Sequence, residues 1–282
     1  HLSIRRQRQM CIRDSTQTIS LSANTTLTGT RQMSATAGRA TFTALRLIGT
    51  AGTKSLTVAI GSPQSISQSV NIDLTFGDAT RLVLSTQASG FVNRVNFSTQ
   101  PAITAQDSSG NVVTNFSQQV SVSATRVGGG GTATITGTLT RTPGSGVATF
   151  TNLRLDGTVG QYDLTFGATG VSSTTQRVTL THGVATAVVL TGATTASNAR
   201  LIATNIVAEI QDADANRVTT GSDSSQQVVM TASGAAISGT TTVNASSGIA
   251  TFSDLTLTGT VGAKTLTATI SSPSSISGTR SI

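Results

Sequence analysis

Asp212, Asp214 and Asn216 occupy alternate positions, and Asp223 stands twelfth counting from Asp212. Oxygen ligands at odd positions, closed by a carboxylate at the twelfth, are how a calcium loop surrounds a hard cation. Arg217, however, falls where such a loop needs glycine, and the flanking residues read as strands. The run Asp107-Ser108-Ser109-Gly110-Asn111 repeats the pattern 105 residues earlier, with Ser109 in place of the second carboxylate. The pattern therefore reads first as a turn in which Asp and Asn bond their own backbone. Asp212, Asp214, Asn216 and Asp223 are kept as a weak calcium candidate, and no other metal or cofactor site is assigned.

Other chemistries fail for want of a partner. His182 lacks a nucleophile or carboxylate particular to its position, as general-base catalysis would require. The few Asp residues lie at repeated turn positions, which argues against a carboxylate pair for acid–base work. Gly128-Gly129-Gly130-Gly131 is not followed by the Lys-Ser or Lys-Thr of a phosphate loop and reads as a flexible connection. Scattered Lys and Arg with a single Tyr offer no stacking platform for nucleic acid. Asn24, Asn96, Asn115 and Asn244 begin glycosylation sequons, a short pattern that carries no function by itself. Lys54 and Lys264 are candidates for isopeptide crosslinks, but they stand in register with Tyr162, so a solvated role is preferred. No catalytic residue is assigned, and the chain reads as a non-enzyme.

The elements that would position these residues are strands. Only 10% of the 282 residues are charged, Trp is absent and Glu occurs once, at Glu209. Thr and Val are β-branched and suit a pleated surface. No segment keeps the apolar spacing of an amphipathic helix. No apolar run approaches the roughly 18 residues of a membrane helix, so membrane insertion by this segment is not expected. The net charge of +7 owes much to the first residues. Arg5-Arg6-Gln7-Arg8-Gln9-Met10-Cys11-Ile12-Arg13-Asp14 resembles the in-frame translation of a transposase adapter used for sequencing libraries, which implies a metagenomic fragment with a non-native segment at 1–14. The competing reading is a basic arm for nucleic acid or membrane. Setting 1–14 aside leaves 14 basic against 10 acidic residues and no cysteine, which excludes disulfides and Cys-based zinc or redox chemistry.

Self-similarity is the strongest signal. Ala-Thr-Phe followed by Leu-x-Leu-x-Gly-Thr-x-Gly occurs three times, with the Phe at Phe42, Phe150 and Phe252, spaced by 108 and 102 residues. Leu74 to Thr80 matches Leu180 to Thr186, and Ser62 to Ser67 matches Ser272 to Ser277. The segmentation predicted from these matches is a partial repeat at 15–77 lacking its first strands, a complete repeat at 78–183, and a repeat at 184–282 cut in its last strand. Alternation of apolar and polar residues places strands of the complete repeat at 80–86, 99–107, 118–125, 132–140, 146–155, 160–168 and 174–181. The fold class predicted is all-β, with tandem immunoglobulin-like β-sandwiches of about seven strands per complete repeat.

The runs 79–87, 95–107 and 146–166, with the Asp107-to-Asn111 turn, resemble the bacterial immunoglobulin-like repeats of very large surface and secreted proteins, the group of invasin- and intimin-type stalks. The resemblance extends over nearly everything after residue 15. It implies a structural spacer of a bacterial cell-surface or secreted adhesin-like protein, extracellular or cell-surface in location. It also implies neighbouring repeats as partners in cis, and an unknown surface ligand bound through other parts of the protein. The alternatives are a glycan- or protein-binding module, which Phe91, Phe97 and Phe116 would serve if exposed in loops, and a non-catalytic accessory region of a secreted enzyme. The family's Tyr before the Leu of the penultimate strand is Tyr162 here. Lys54 and Lys264 replace it in the other copies, so a tyrosine-corner bond is expected in the middle repeat alone.

Overall fold

A computed structural model describes residues 16–61, 65–271 and 275–282. The adapter-like segment, Cys11 and the Pro-containing parts of the 62–67 and 272–277 match lie outside these residues. Among the described residues the regular structure is strand throughout, apart from one 3-10 turn at Ser222–Ser225. The chain is all-β.

The middle repeat packs two antiparallel sheets face to face. One orders Val147–Thr149, Ala102–Gln106 and Arg81–Thr86; the other orders Thr140–Arg141, Val120–Arg126, Gly160–Gly167 and Thr174–Leu180. Side chains alternate across a strand, so Tyr162, Leu164 and Phe166 all enter the core, each at most 1% exposed, while Asp163 faces out and pairs with Arg177 on the next strand. Phe150 meets Phe166 across the core, ring centroids 5.3 Å apart. The start of the repeat also runs parallel to its last strand, through Leu82 N–H to the Ser172 carbonyl and Asn93 N–H to the Thr181 carbonyl. That crossover closes the sandwich edge.

Two stretches predicted as single strands are each divided. The 146–155 run is Val147–Thr149 in the first sheet and Arg154–Gly157 in a small ladder with Ala133–Thr136. The 132–140 run likewise divides into Ala133–Thr136 and Thr140–Arg141. Asn152 (φ 58°) and Gly137 (φ 109°) mark the two breaks, and a side chain at 137 would collide with the Asn152 carbonyl. Only glycine has access to that conformation at so close an approach.

The third repeat has the same plan. Ala187–Thr191, Ile206–Gln211 and Ile249–Phe252 form one sheet; Thr242–Asn244, Gln227–Ser233, Thr265–Ile270 and Ile276–Ser281 form the other. Its core is gathered from Ala185 to Ile270, and that of the middle repeat from Leu82 to Leu180. In the first repeat the four-stranded sheet is present: Gln32–Ser34, Thr18–Ala23, Gly52–Ile60 and Ile66–Leu74. No opposing three-stranded sheet lies over it among the described residues. Leu56, Val58 and Ile60 are therefore only half-buried, although Leu266, Ala268 and Ile270 at the matching positions are fully enclosed.

This contrast supplies an internal control. Phe150→Ala should open a cavity costing about 3–5 kcal/mol, read from hydrogen exchange of the core amides around Leu164. Phe42→Ala, at the matching but half-buried position, should cost less than half as much; equal losses would show that the first sheet is packed like the second.

Candidate functional site: the joints between repeats

The loop that follows the Ala102–Gln106 strand is built around one carboxylate. Asp107 Oδ1 accepts the N–H groups of Ser109 and Asn111, both at 2.9 Å, and Asp107 Oδ2 accepts from Asn111 Nδ2 at 2.9 Å. These bonds fold the turn on itself, which is the role the sequence assigned to it. The second half of the arrangement reaches out of the repeat. Asp107 Oδ2 also accepts Gly77 N–H at 2.9 Å, in the connection from the preceding strand. The Asn111 amide donates to the Gly49 carbonyl at 3.0 Å and accepts Ala51 N–H at 2.7 Å. A single primary amide thus pairs with both a C=O and an N–H of the previous repeat's Gly-Thr-x-Gly turn.

The second joint uses the same atoms. Asp212 Oδ1 accepts Asp214 N–H at 2.9 Å and Asn216 N–H at 3.0 Å, while Oδ2 accepts Gly183 N–H at 2.8 Å. Asn216 donates to the Gly157 carbonyl and accepts Val159 N–H, each at 2.9 Å. Gly183 is required by space, because a Cβ there would come within 2.9 Å of the Asn93 carbonyl oxygen. Asn93 adds a clamp. Its Oδ1 accepts Gly157 N–H, and its Nδ2 donates to Asp212 Oδ2 at 2.8 Å and Asp214 Oδ2 at 2.7 Å. Arg94 then closes on Asp214 with two bonds of 2.7 and 2.9 Å, the fork geometry in which guanidinium–carboxylate pairs are strongest. Asn93, Asp212 and Asn216 are buried.

Burial alone would push the Asp107 carboxyl up, but the N–H bonds from Gly77, Asn111 and Ser109 outweigh it and hold the group at about 2. Asp212 behaves alike: burial raises it, and Gly183, Asn216 and Asn93 together bring it below the usual range. Asp214 is lowered by Arg94 first, whose own proton is held more tightly in return. Each joint is therefore held by an ionised carboxylate surrounded by donors.

Asp212, Asp214 and Asn216 thus come together, but around N–H groups, and Arg94 supplies the positive charge beside Asp214. Asp223 is held elsewhere, accepting Ala185 N–H at 3.0 Å. Among the described residues no three His, Cys, Asp or Glu side chains form a group suited to a metal ion. His182 spans the connection, with Nδ1 against the Gly183 carbonyl and Nε2 against Thr220 Oγ1, both at 2.9 Å. It borders an open cleft of about 550 Å³ shared with Leu180, Glu209, Arg217 and Thr220. Lys54 and Lys264 each donate to a Thr hydroxyl four residues upstream. Tyr162 makes the corner bond expected of it, to the Thr158 carbonyl at 2.6 Å, and Arg126 donates to the same hydroxyl.

The loop aromatics turn inward. Phe97 is 3% exposed, seated edge-on against Phe91 at 5.0 Å, and Phe91 and Phe116 pack on the same core. The loop folds back over the sandwich end through Phe97 N–H to the Leu153 carbonyl, so the condition of exposure that a binding module would need is not met at Phe97.

Two outcomes follow from the joint geometry. Asp107 has its folded value below the unfolded 3.8, so its stabilisation is complete above that value and is lost as pH falls toward about 2. Hydrogen exchange at Gly77 should accelerate over that window in the parent, and the acceleration should be absent in Asp107→Asn. Asp212→Ala strands three nearly dry N–H groups and should cost about 1–3 kcal/mol, with added rotation between the middle and third repeats in NMR relaxation.

No protein-family description and no curated protein matches this sequence. Among solved structures the chain is similar to the D0-D1 domain of intimin, at 18% identity over 72% of this chain and 98% of that one, with a TM-score of 0.25. It is similar to FdeC, an Escherichia coli adhesin, at 17% identity over 94% of this chain and 84% of that one, TM-score 0.37. Invasin, a bacterial integrin-binding protein, matches at 15% identity over 95% of this chain and 53% of its own, TM-score 0.38. Part of a β-glucuronidase of Parabacteroides merdae also matches, over 58% of this chain and 21% of the enzyme. Every one of these TM-scores is below 0.5.

Proposed function

We propose that the chain is a run of spacer repeats in the stalk of a bacterial cell-surface or secreted adhesin-like protein, with units at 15–77, 78–183 and 184–282. The observation that carries this is the recurrence of one carboxylate–asparagine latch, atom for atom, at both joints. Six residues, 181–186, connect the strand ending at Leu180 to the one beginning at Ala187, and the latch fixes the remaining freedom by pairing backbone groups of adjacent repeats. Rigid joints turn compact units into an extended rod, where a Gly/Ser linker would give a coil. The outer faces suit this role, being rich in Ser and Thr and low in charge. The ligand contacts of such a protein belong to other parts of it, and this segment contributes distance and direction, with no catalysis.

The test is a swap. In the surface-displayed protein, residues 78–183 are replaced by an unrelated immunoglobulin-like unit of equal length carrying the Asp-x-x-x-Asn turn and its acceptor turn. Adhesion to the natural surface should be retained, and deletion of the unit should shorten the stand-off by roughly 25–35 Å, the length of a strand of 7 to 10 residues. Loss of adhesion in the swapped protein would make this segment a binding module. Loss of a secreted enzymatic activity would make it an accessory region.

A further inference from the structure

The third repeat carries a counterpart of the acceptor half of a joint, with nothing docked on it among the described residues. At the second joint that half consists of Asn93, the Gly157 carbonyl and the Val159 N–H. Asn198 and Gly259 repeat the Asn93–Gly157 part of it, and Val261 holds the sequence position that matches Val159. Asn198 Oδ1 accepts Gly259 N–H at 3.0 Å, as Asn93 Oδ1 accepts Gly157 N–H at 2.9 Å. The supporting loop is also the same. Ala199 N–H bonds the Leu257 carbonyl as Arg94 N–H bonds that of Leu155, and Ile202 N–H bonds the Leu255 carbonyl as Phe97 N–H bonds that of Leu153. Ala199 and Arg94 share the left-handed backbone, with φ 55° and 62°.

The difference lies in what these groups meet. Asn93 Nδ2 meets two carboxylates, the Gly157 carbonyl meets Asn216, and Val159 is partly covered. Asn198 and Gly259 are exposed, and Val261 is 100% exposed, beside a shallow hollow of about 110 Å³ bounded by Asn198, Leu257, Lys264 and Ile282. The Asn198–Gly259 bond and the loop that supports it are in place before any partner arrives, which lowers the entropy cost of binding.

We infer that the Asn198–Gly259–Val261 face is a docking surface for the Asp-x-x-x-Asn turn of a further repeat joined in line after residue 282. The incoming Asn amide pairs with the Gly259 carbonyl and Val261 N–H, and the incoming Asp carboxylate receives Asn198 Nδ2. Ala199 replaces Arg94, so an acid at the third position of the incoming turn gains no ion pair there. The face therefore suits a turn like Asp107-Ser108-Ser109-Gly110-Asn111 better than one like Asp212-Ala213-Asp214-Ala215-Asn216. The inference rests on the stalk reading only in taking the partner to be joined in cis.

The test lengthens the full chain after Ile282 with a copy of residues 73–183, which continues the last strand in register because Ile282 pairs with Lys264 as Ile72 pairs with Lys54. Spin-label pairs report the distance distribution across the new joint and, separately, across the joint at Gly183. The new distribution should be as narrow as the old one, and Val261 N–H exchange should slow at least tenfold on adding the unit. Asn198→Ala, and Asn111→Ala within the added copy, should each broaden the new joint alone. A broad new joint beside a narrow old one overturns the inference and leaves the stalk reading in place, as does a narrow joint indifferent to both substitutions. Breadth at the Gly183 joint itself counts against the stalk reading.

Discussion

A carboxylate taken out of water must be met by donors, and here those donors come from two repeats at once. Asp107 and Asp212 each close their own turn with one oxygen and hold the linker glycine with the other. The adjacent Asn then pairs with the backbone of the previous repeat. At the second joint, where Asn93, Asp212 and Asn216 are buried, removing either contribution would leave polar groups unmatched away from water, where the penalty exceeds what a well-made bond contributes. This asymmetry makes the joint directional. A rotated repeat would lose the bonds and keep the desolvation cost.

The cores follow a different logic. They are filled by Val, Leu, Ile, Ala and a few Phe, with no Trp, and their specificity comes from alternation and shape. The first repeat shows what alternation alone achieves. Its strands pair in the same order as the four-stranded sheets of the other two, yet its inner face is only half-covered. Backbone pairing is therefore set locally, while burial awaits a second sheet. The tyrosine corner adds a third device, present in one copy: Tyr162 ties its strand to the Thr158 carbonyl, whereas Lys54 and Lys264 reach only Thr hydroxyls.

Much of this was legible in the sequence. Val120 and Val122 alternating with serines announced a strand with one buried face, and the recurrence of Phe42, Phe150 and Phe252 announced copies of one unit. The breaks at Gly137 and Asn152 were not legible, because Phe150 and Leu153 stay fully buried through the change of sheet and the apolar pattern reports burial, not pairing partner. The latch was half legible. Asp and Asn spaced four apart signal a self-bonded turn, a local property. The partners of Asn216 lie 57 to 59 residues away at Val159 and Gly157, and a local rule cannot reach them. The usable signal was the shared register: Gly49, Gly77, Asp107 and Asn111 recur together as Gly157, Gly183, Asp212 and Asn216.

The joints are alike in backbone chemistry and unlike in charge. Backbone groups and the Asp and Asn that bind them are common to both, so any repeat of this kind offers a compatible surface. The Arg94–Asp214 pair is an addition at one joint, where Ser109 stands at the corresponding turn position of the other. An exposed ion pair contributes little net energy, since Arg94 is half in water. Its effect is on selectivity, because Arg94 facing a turn without an acid, or Asp214 facing Ala199, forfeits the pairing. Shared amide latches thus join repeats in line, and the charge pair adds a modest preference at the second joint.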